Sequence, residues 1–235
     1  MRTESIEYQH DGITLEALLA WDDQITGPRP GVLISHAWAG RSSFENARAE
    51  DLAAMGYAGF ALDLYGKGVS GSSKEENSAL MQPFISDRPH LLNRLQQSLD
   101  TLKACAVVDE SRTAIMGYCF GGLCALDLAR GGADIQGAIS IHGLLNAPEL
   151  TGSMTAKILA LHGWDDPMVP PEQVLDFNRE MTSAGADWQL HAYGNTMHAF
   201  TNPQADDPGF GTLYNADADR RSRAAIRFFL SEVLD

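Results

Sequence analysis

Three residues far apart in the chain have the types and settings that acyl-transfer chemistry demands. Cys119 lies in Gly117-Tyr-Cys-Phe-Gly-Gly122, Asp166 in His162-Gly-Trp-Asp-Asp-Pro-Met-Val169, and His198 in Met197-His-Ala-Phe200. A thiol attacks carbonyl carbon only as its thiolate, so it needs a base to take its proton, and the base needs a partner that holds its tautomer. The G-x-Nuc-x-G form around Cys119 suits a sharp strand-to-helix turn that lifts the nucleophile above a sheet. Gly117 and Gly121 leave room where side chains would collide, and the N-terminus of the following helix favours a negative sulfur. Asp165 competes with Asp166 for the acid. The turn pattern G-x-x-D-x-x-V puts its fourth residue, Asp166, at the site.

These residues need a scaffold, and hydrophobic periodicity supplies one. Residues 4–9 and 13–21 read as two strands joined through His10-Asp-Gly12, a turn signal. Residues 31–35, 57–62, 113–116, 137–141, 156–161 and 188–193 read as further strands, the apolar ones continuous as in parallel sheets. Helical spacing predicts helices over 43–55 (stripe Phe44, Ala47, Leu52, Met55, with Gly56 as C-cap), 89–106 (stripe Leu91, Leu92, Leu95, Leu99, Leu102), 123–129, 171–184 and roughly 217–234. Residues 72–87 are polar and weakly periodic; a flap, a short helix and a surface excursion all fit them. Residues 144–153 and 201–212 read as loops. Strands alternating with helices predict one α/β domain over residues 1–235, its mostly parallel sheet flanked by helices on both faces. Ligands of such sheets collect beyond the carboxyl ends of the strands. Four polar clusters fall there: 36–40, 117–122, 162–167 and 194–200.

Composition narrows the function. Across 235 residues the formal charge is -14, which disfavours nucleic acid and anionic membrane as partners. No run approaches the roughly 18 apolar residues of a membrane span, and the first residues lack the apolar core of a signal peptide. Three cysteines (Cys105, Cys119, Cys124) cannot all pair and match no zinc spacing, so no metal is expected and a reducing cytoplasm is the natural compartment. Cys105 and Cys124 read as packing residues. The glycine-rich stretch 63–71 fails as a phosphate loop, because Lys67 is followed by Gly68. His36 and His142 also end strands, where structural hydrogen bonds are their ordinary use.

The order nucleophile, acid, histidine is that of α/β-hydrolases. With Gly117-Tyr-Cys-Phe-Gly-Gly122, His162-Gly-Trp-Asp-Asp-Pro-Met-Val169, His198-Ala-Phe200, His36-Ala-Trp-Ala-Gly40 and Asp63-Leu-Tyr65, the chain resembles the dienelactone hydrolase family, or carboxymethylenebutenolidases, over nearly its whole length. The resemblance implies a triad of Cys119, His198 and Asp166, hydrolysis of a small ester or lactone through an acyl-enzyme, and no metal or organic cofactor. It implies an oxyanion hole of the Phe120 and Trp38 backbone N–H groups. It also marks departures. The family often carries glutamate where this chain has Ala37, and that glutamate is thought to help deprotonate the cysteine. Two arginines that hold a substrate carboxylate are expected where this chain has Lys67 and Asn202, and neither replaces a bidentate guanidinium. A more neutral ester or lactone is therefore expected, with His36, Trp38, Phe120 and Trp164 as further pocket candidates. Without the glutamate, Cys119 is expected to rest as a thiolate paired with the His198 imidazolium. A catalytically silent ligand-binding protein and a redox-sensing thiol are the alternatives. The expected assembly is a monomer or small homo-oligomer.

Overall fold

A two-residue turn begins the fold. Asp11 (φ 50°) and Gly12 (φ 74°) both adopt the left-handed conformation that a tight hairpin needs. They return β1 (Arg2–His10) onto β2 (Ile13–Trp21), antiparallel from Arg2 opposite Trp21 to His10 opposite Ile13. The structure is a computed structural model that describes residues 1–148 and 152–235. The chain forms two compact units, Met1–Met116 and Gly117–Asp235. The sequence alone predicts no such division.

In the first unit, β3 (Arg29–Ser35), β4 (Ala58–Ala61) and β5 (Val108–Tyr118, whose last two residues belong to the second unit) extend the hairpin in the order β1-β2-β4-β3-β5. β4 pairs antiparallel with β2 and parallel with β3. Every residue of β3 is buried, and residues 30–34 between its polar ends Arg29 and Ser35 form a continuous apolar run. α1 (Ser43–Ala54) lies so close to β4 that a Cβ on Gly59 would stand 2.5 Å from the Ala49 carbonyl oxygen. Its buried face is Glu45, Ala49, Leu52 and Ala53, which corrects the expected stripe at every position but Leu52. Ala49 packs against Gly59 of β4, and Glu45 can share that buried face because its carboxylate folds back in a capping box to accept from Ser42 N and Oγ. Met55 is left exposed.

Residues 72–87 turn out to be mostly helix. α2 (Lys74–Ser86) starts where Ser73 Oγ accepts from Glu76 N, and α3 (Arg88–Lys103) follows directly, capped by Asp87. Leu91, Leu95, Leu99 and Leu102 are fully buried on α3, each contributing about 1.5–3 kcal/mol over an exposed position. Leu92 is only partly covered. Arg94 and Ser98 take its place in the buried face, because Arg94 donates to His10 Nδ1 and to the Leu64 carbonyl while Ser98 meets the Tyr8 hydroxyl.

The second unit holds α4 (Phe120–Arg130), β6 (Gly137–Ile141), β7 (Lys157–Gly163), α5 (Pro171–Ser183), β8 (Trp188–Tyr193) and α6 (Ala216–Leu234). β6, β7 and β8 are parallel neighbours in that order. α4 is buried at all eleven residues. Gly137 admits α6 closely: a Cβ there would lie 2.9 Å from the Phe229 ring. Within the loop expected at 201–212, a two-residue hairpin forms between β9 (Asp206–Asp207) and β10 (Thr212–Leu213). Residues 149–151 of the loop expected at 144–153 lie outside the described residues. The chain is thus an α/β fold with a mostly parallel sheet.

Candidate active site

β5 ends at Tyr118 and α4 begins at Phe120, so Cys119 alone makes the turn between them. Its backbone sits at φ 56°, ψ -117°, a region that costs a non-glycine residue about 1–3 kcal/mol and persists only when its surroundings impose it. They do. The Cys119 N–H donates to the Ile141 carbonyl at 3.0 Å and to His142 Nδ1 at 3.2 Å, and the Cys119 carbonyl accepts from Gly122 N at 2.9 Å. A Cβ on Gly117 would fall 2.0 Å from the Gly121 carbonyl oxygen, and one on Gly122 would fall 2.7 Å from Gly143 Cα. These glycines are required by backbone contact. Cys119 is partly exposed, whereas Cys124 is buried in α4. Cys105 is only half-buried, against the expected core position; burial raises its pKa and its thiol donates to the Thr101 carbonyl.

The acid turn and the histidine loop are built as one piece. A Cβ on Gly163 would come 2.6 Å from the carbonyl oxygens of both Thr196 and Met197. Trp164 N donates to Tyr193 O and Asp165 N to Thr196 O, each at 2.9 Å. Asp165 thereby points its carboxylate to solvent, while Asp166 turns inward. Asp166 Oδ1 accepts from Met168 N at 2.8 Å, and Oδ2 accepts from His198 Nδ1 at 2.6 Å. Behind His198, its N–H donates to Gly211 O and its carbonyl accepts from Leu213 N, so the β9–β10 hairpin braces the histidine.

Electrostatics separates the histidines of this unit. Burial is the largest influence on His198 and disfavours its charge. It is outweighed by attraction to the Cys119 sulfur, the hydrogen bond to Asp166 and the Asp166 charge, which together raise the pKa to about 10. His198 Nε2 makes no hydrogen bond, so the influence of the sulfur on it is one of charge. His142 is driven the other way: burial and the neighbouring His198 push its pKa well below the ordinary value. His162 is also buried and shifted down by burial, with neither ring nitrogen hydrogen-bonded.

The remaining pocket candidates fall into two groups. In the second unit, Phe120 is fully buried, Trp164 is exposed, and Asn202 Oδ1 is spent accepting from Gln204 N. In the first unit, His36 is buried with Nδ1 on the Ala37 carbonyl and Nε2 accepting from Leu64 N, so both ring nitrogens serve structure. The Trp38 carbonyl accepts from the Tyr65 hydroxyl. Lys67 is paired with Glu7 and Glu16, and Arg41 holds the other oxygen of Glu16. Sequence reasoning missed the use of His142, Thr201 and the 206–213 hairpin. His142 was visible as a strand-end residue, but only coordinates reveal what its ring touches. Among the described residues, no group of three or more His, Cys, Asp or Glu could hold a metal ion, and no helix is long and apolar enough to cross a membrane.

This scaffold, with a sharp strand-to-helix turn at Cys119, is that of the α/β hydrolases. Comparison is more specific: the profile of the dienelactone hydrolase family matches residues 15–234, and the chain belongs to that family. A dienelactone hydrolase-like promiscuous phosphotriesterase from metagenomic libraries is 33% identical, with TM-score 0.94, covering 100% of this chain and 99% of its own. An uncharacterized protein of Caenorhabditis elegans is 37% identical over 155 residues, 63% of this chain and 98% of the relative. A candidate carboxymethylenebutenolidase of Yersinia pestis is 25% identical over 202 residues, 80% of this chain and 75% of the relative. The protein is accordingly an ester or lactone hydrolase.

Proposed function

We propose that Cys119 is the nucleophile of this hydrolase, that His198 is its base and Asp166 its orienting acid, and that the substrate is a neutral ester or lactone. The observation that carries this reading is the buried His198 imidazole, hydrogen-bonded through Nδ1 at 2.6 Å to the buried Asp166 carboxylate; the Cys119 sulfur and Asp166 raise its pKa. In the resting ion pair the sulfur already carries the negative charge. It attacks the carbonyl carbon, and the oxygen of the tetrahedral intermediate is stabilised by the Phe120 N–H at the start of α4. The intermediate collapses with loss of the alkoxide, which takes a proton from the His198 imidazolium. Neutral His198 then removes a proton from water, and the hydroxide releases the acid and restores the thiolate. The Lys67 ammonium is engaged by Glu7 and Glu16, which supports an uncharged acyl group over a carboxylate-bearing one. The family match spans both compact units, which supports one catalytic domain over residues 1–235.

A second substrate class follows from the 33% identical phosphotriesterase. A phosphotriester is also neutral and electrophilic, and it needs no carboxylate clamp.

The test is a rapid-mixing assay with p-nitrophenyl acetate and, separately, p-nitrophenyl diethyl phosphate. Native protein should release a burst of nitrophenolate stoichiometric with enzyme. Cys119→Ala and iodoacetamide-treated protein should release none. Equal release by all three would sink the thiol mechanism, and activity on the acetate alone would remove the phosphotriester reading.

A further inference from the structure

We propose that His142 is a positioning residue that fixes the nucleophile turn and the histidine loop at one spacing, and so sets the geometry of the Cys119–His198 pair. This rests on the mechanism above but adds a residue that the mechanism does not use.

The contacts define the role. His142 follows β6 and is 3% exposed, with its own N–H donating to Leu161 O at 2.8 Å. Its backbone is held at φ 39°, rare for a residue with a side chain. Nδ1 accepts from the Cys119 N–H at 3.2 Å, and Nε2 meets Thr201 Oγ1 at 2.9 Å. The Cys119 N–H can only donate, so Nδ1 carries the lone pair. In the neutral ring the proton is then on Nε2, which donates to Thr201. Thr201 is buried and lies three residues beyond His198. One imidazole therefore links the nucleophile's own amide to the loop of the base. The His198 ring packs edge-on against it at 5.0 Å, and the Phe200 ring packs at 5.2 Å.

Two consequences follow. The Cys119 N–H is committed to Ile141 and His142, so it does not serve as an oxyanion donor. The strained Cys119 backbone also loses one of its restraints whenever His142 cannot accept, and the sulfur drifts from the imidazole. A misplacement of about 1 Å in such a pair can cost on the order of 100-fold in rate.

The experiment compares His142→Phe, His142→Asn and Thr201→Val with native protein. Phenylalanine keeps the ring shape without an acceptor; asparagine keeps an oxygen where Nδ1 stands and tolerates positive φ. Two readouts are taken: the pH profile of Cys119 alkylation by iodoacetamide, followed by peptide mass, and kcat and KM for p-nitrophenyl acetate. His142→Phe should slow alkylation at neutral pH by about 10-fold and lower kcat by roughly 10- to 100-fold, with KM changed by less than about 2-fold. His142→Asn should recover both to within about 3-fold. Thr201→Val should lose an intermediate amount, and adding it to His142→Phe should cost nothing further, because the two act along one path. Native rates in His142→Phe, equal loss in the asparagine variant, or additive losses would each overturn the proposal. Should His142→Phe fail to fold, the asparagine and Thr201 variants still decide it. If native protein hydrolyses neither ester, the catalytic reading falls while the alkylation profile still reports on positioning.

Discussion

Two clusters of charge in this molecule use similar groups to opposite ends. In the first unit, Lys67, Glu7, Glu16 and Arg41 form a chain of ion pairs, with the Lys67 and Glu7 side chains 48% and 55% exposed. In the second, the His198 and Asp166 side chains are 2% and 0% exposed. Water competes for the exposed Lys67–Glu7 pair, which is worth only about 0–1 kcal/mol. Excluded from water, the second pair works through a lower effective dielectric, and with the Cys119 sulfur it overcomes the burial penalty on His198. Ion pairing alone says little about function. Burial with a third partner that must change charge says much more.

The largest predicted break in that contrast is Asp166→Asn. It keeps the shape of the acid turn but offers His198 an uncharged partner able to stabilise the wrong tautomer. In a serine protease triad the same change costs about 10,000-fold in kcat. A drop of roughly 1,000- to 10,000-fold is expected here in steady-state ester hydrolysis, with the acid turn otherwise intact by circular dichroism. A loss under about 10-fold would show that Asp166 does not orient the base.

The next effect is read by titration. Proton NMR of the His198 ring should show an imidazolium that persists through neutral pH and deprotonates near 10. Removing the sulfur charge with Cys119→Ala deletes the largest influence that raises this pKa and leaves burial, which lowers it, opposed mainly by Asp166. The midpoint must therefore move down. If it stays near 10 without the sulfur, Cys119 is not the counter-ion, and the resting ion pair is excluded.

Much of this contrast was legible in the sequence, and the limits have physical causes. The elbow was readable because its glycines answer to backbone contact within five residues, Gly117 against Gly121. The turn pattern favoured Asp166 over Asp165 because a tight turn fixes which of two adjacent side chains faces in, and Asp166 is the buried one of the two. The face of α1 was misjudged because a buried, capping glutamate does not look apolar. The 206–213 hairpin was missed because two-residue strands have no periodicity to detect. His142 was visible but mute: its significance lies in two hydrogen bonds to residues 23 and 59 positions away, and no local pattern encodes them.

The smallest predicted effect tests the first cluster. Lys67 stands where the family resemblance places a substrate-binding arginine, yet its ammonium lies between Glu7 and Glu16, and the Glu7 hydrogen bond is the main reason its pKa is raised. If those contacts occupy it fully, Lys67→Met should alter KM and kcat for a neutral ester by less than about 2-fold. Stability should change by no more than about 1 kcal/mol, since exposed pairs contribute little. A carboxylate-bearing ester makes the decisive comparison. Were Lys67 to leave its glutamates for a substrate carboxylate, the substitution would raise KM for the charged ester alone. An equal, small response to both esters would mean that this cluster stabilises only itself and takes no part in binding substrate.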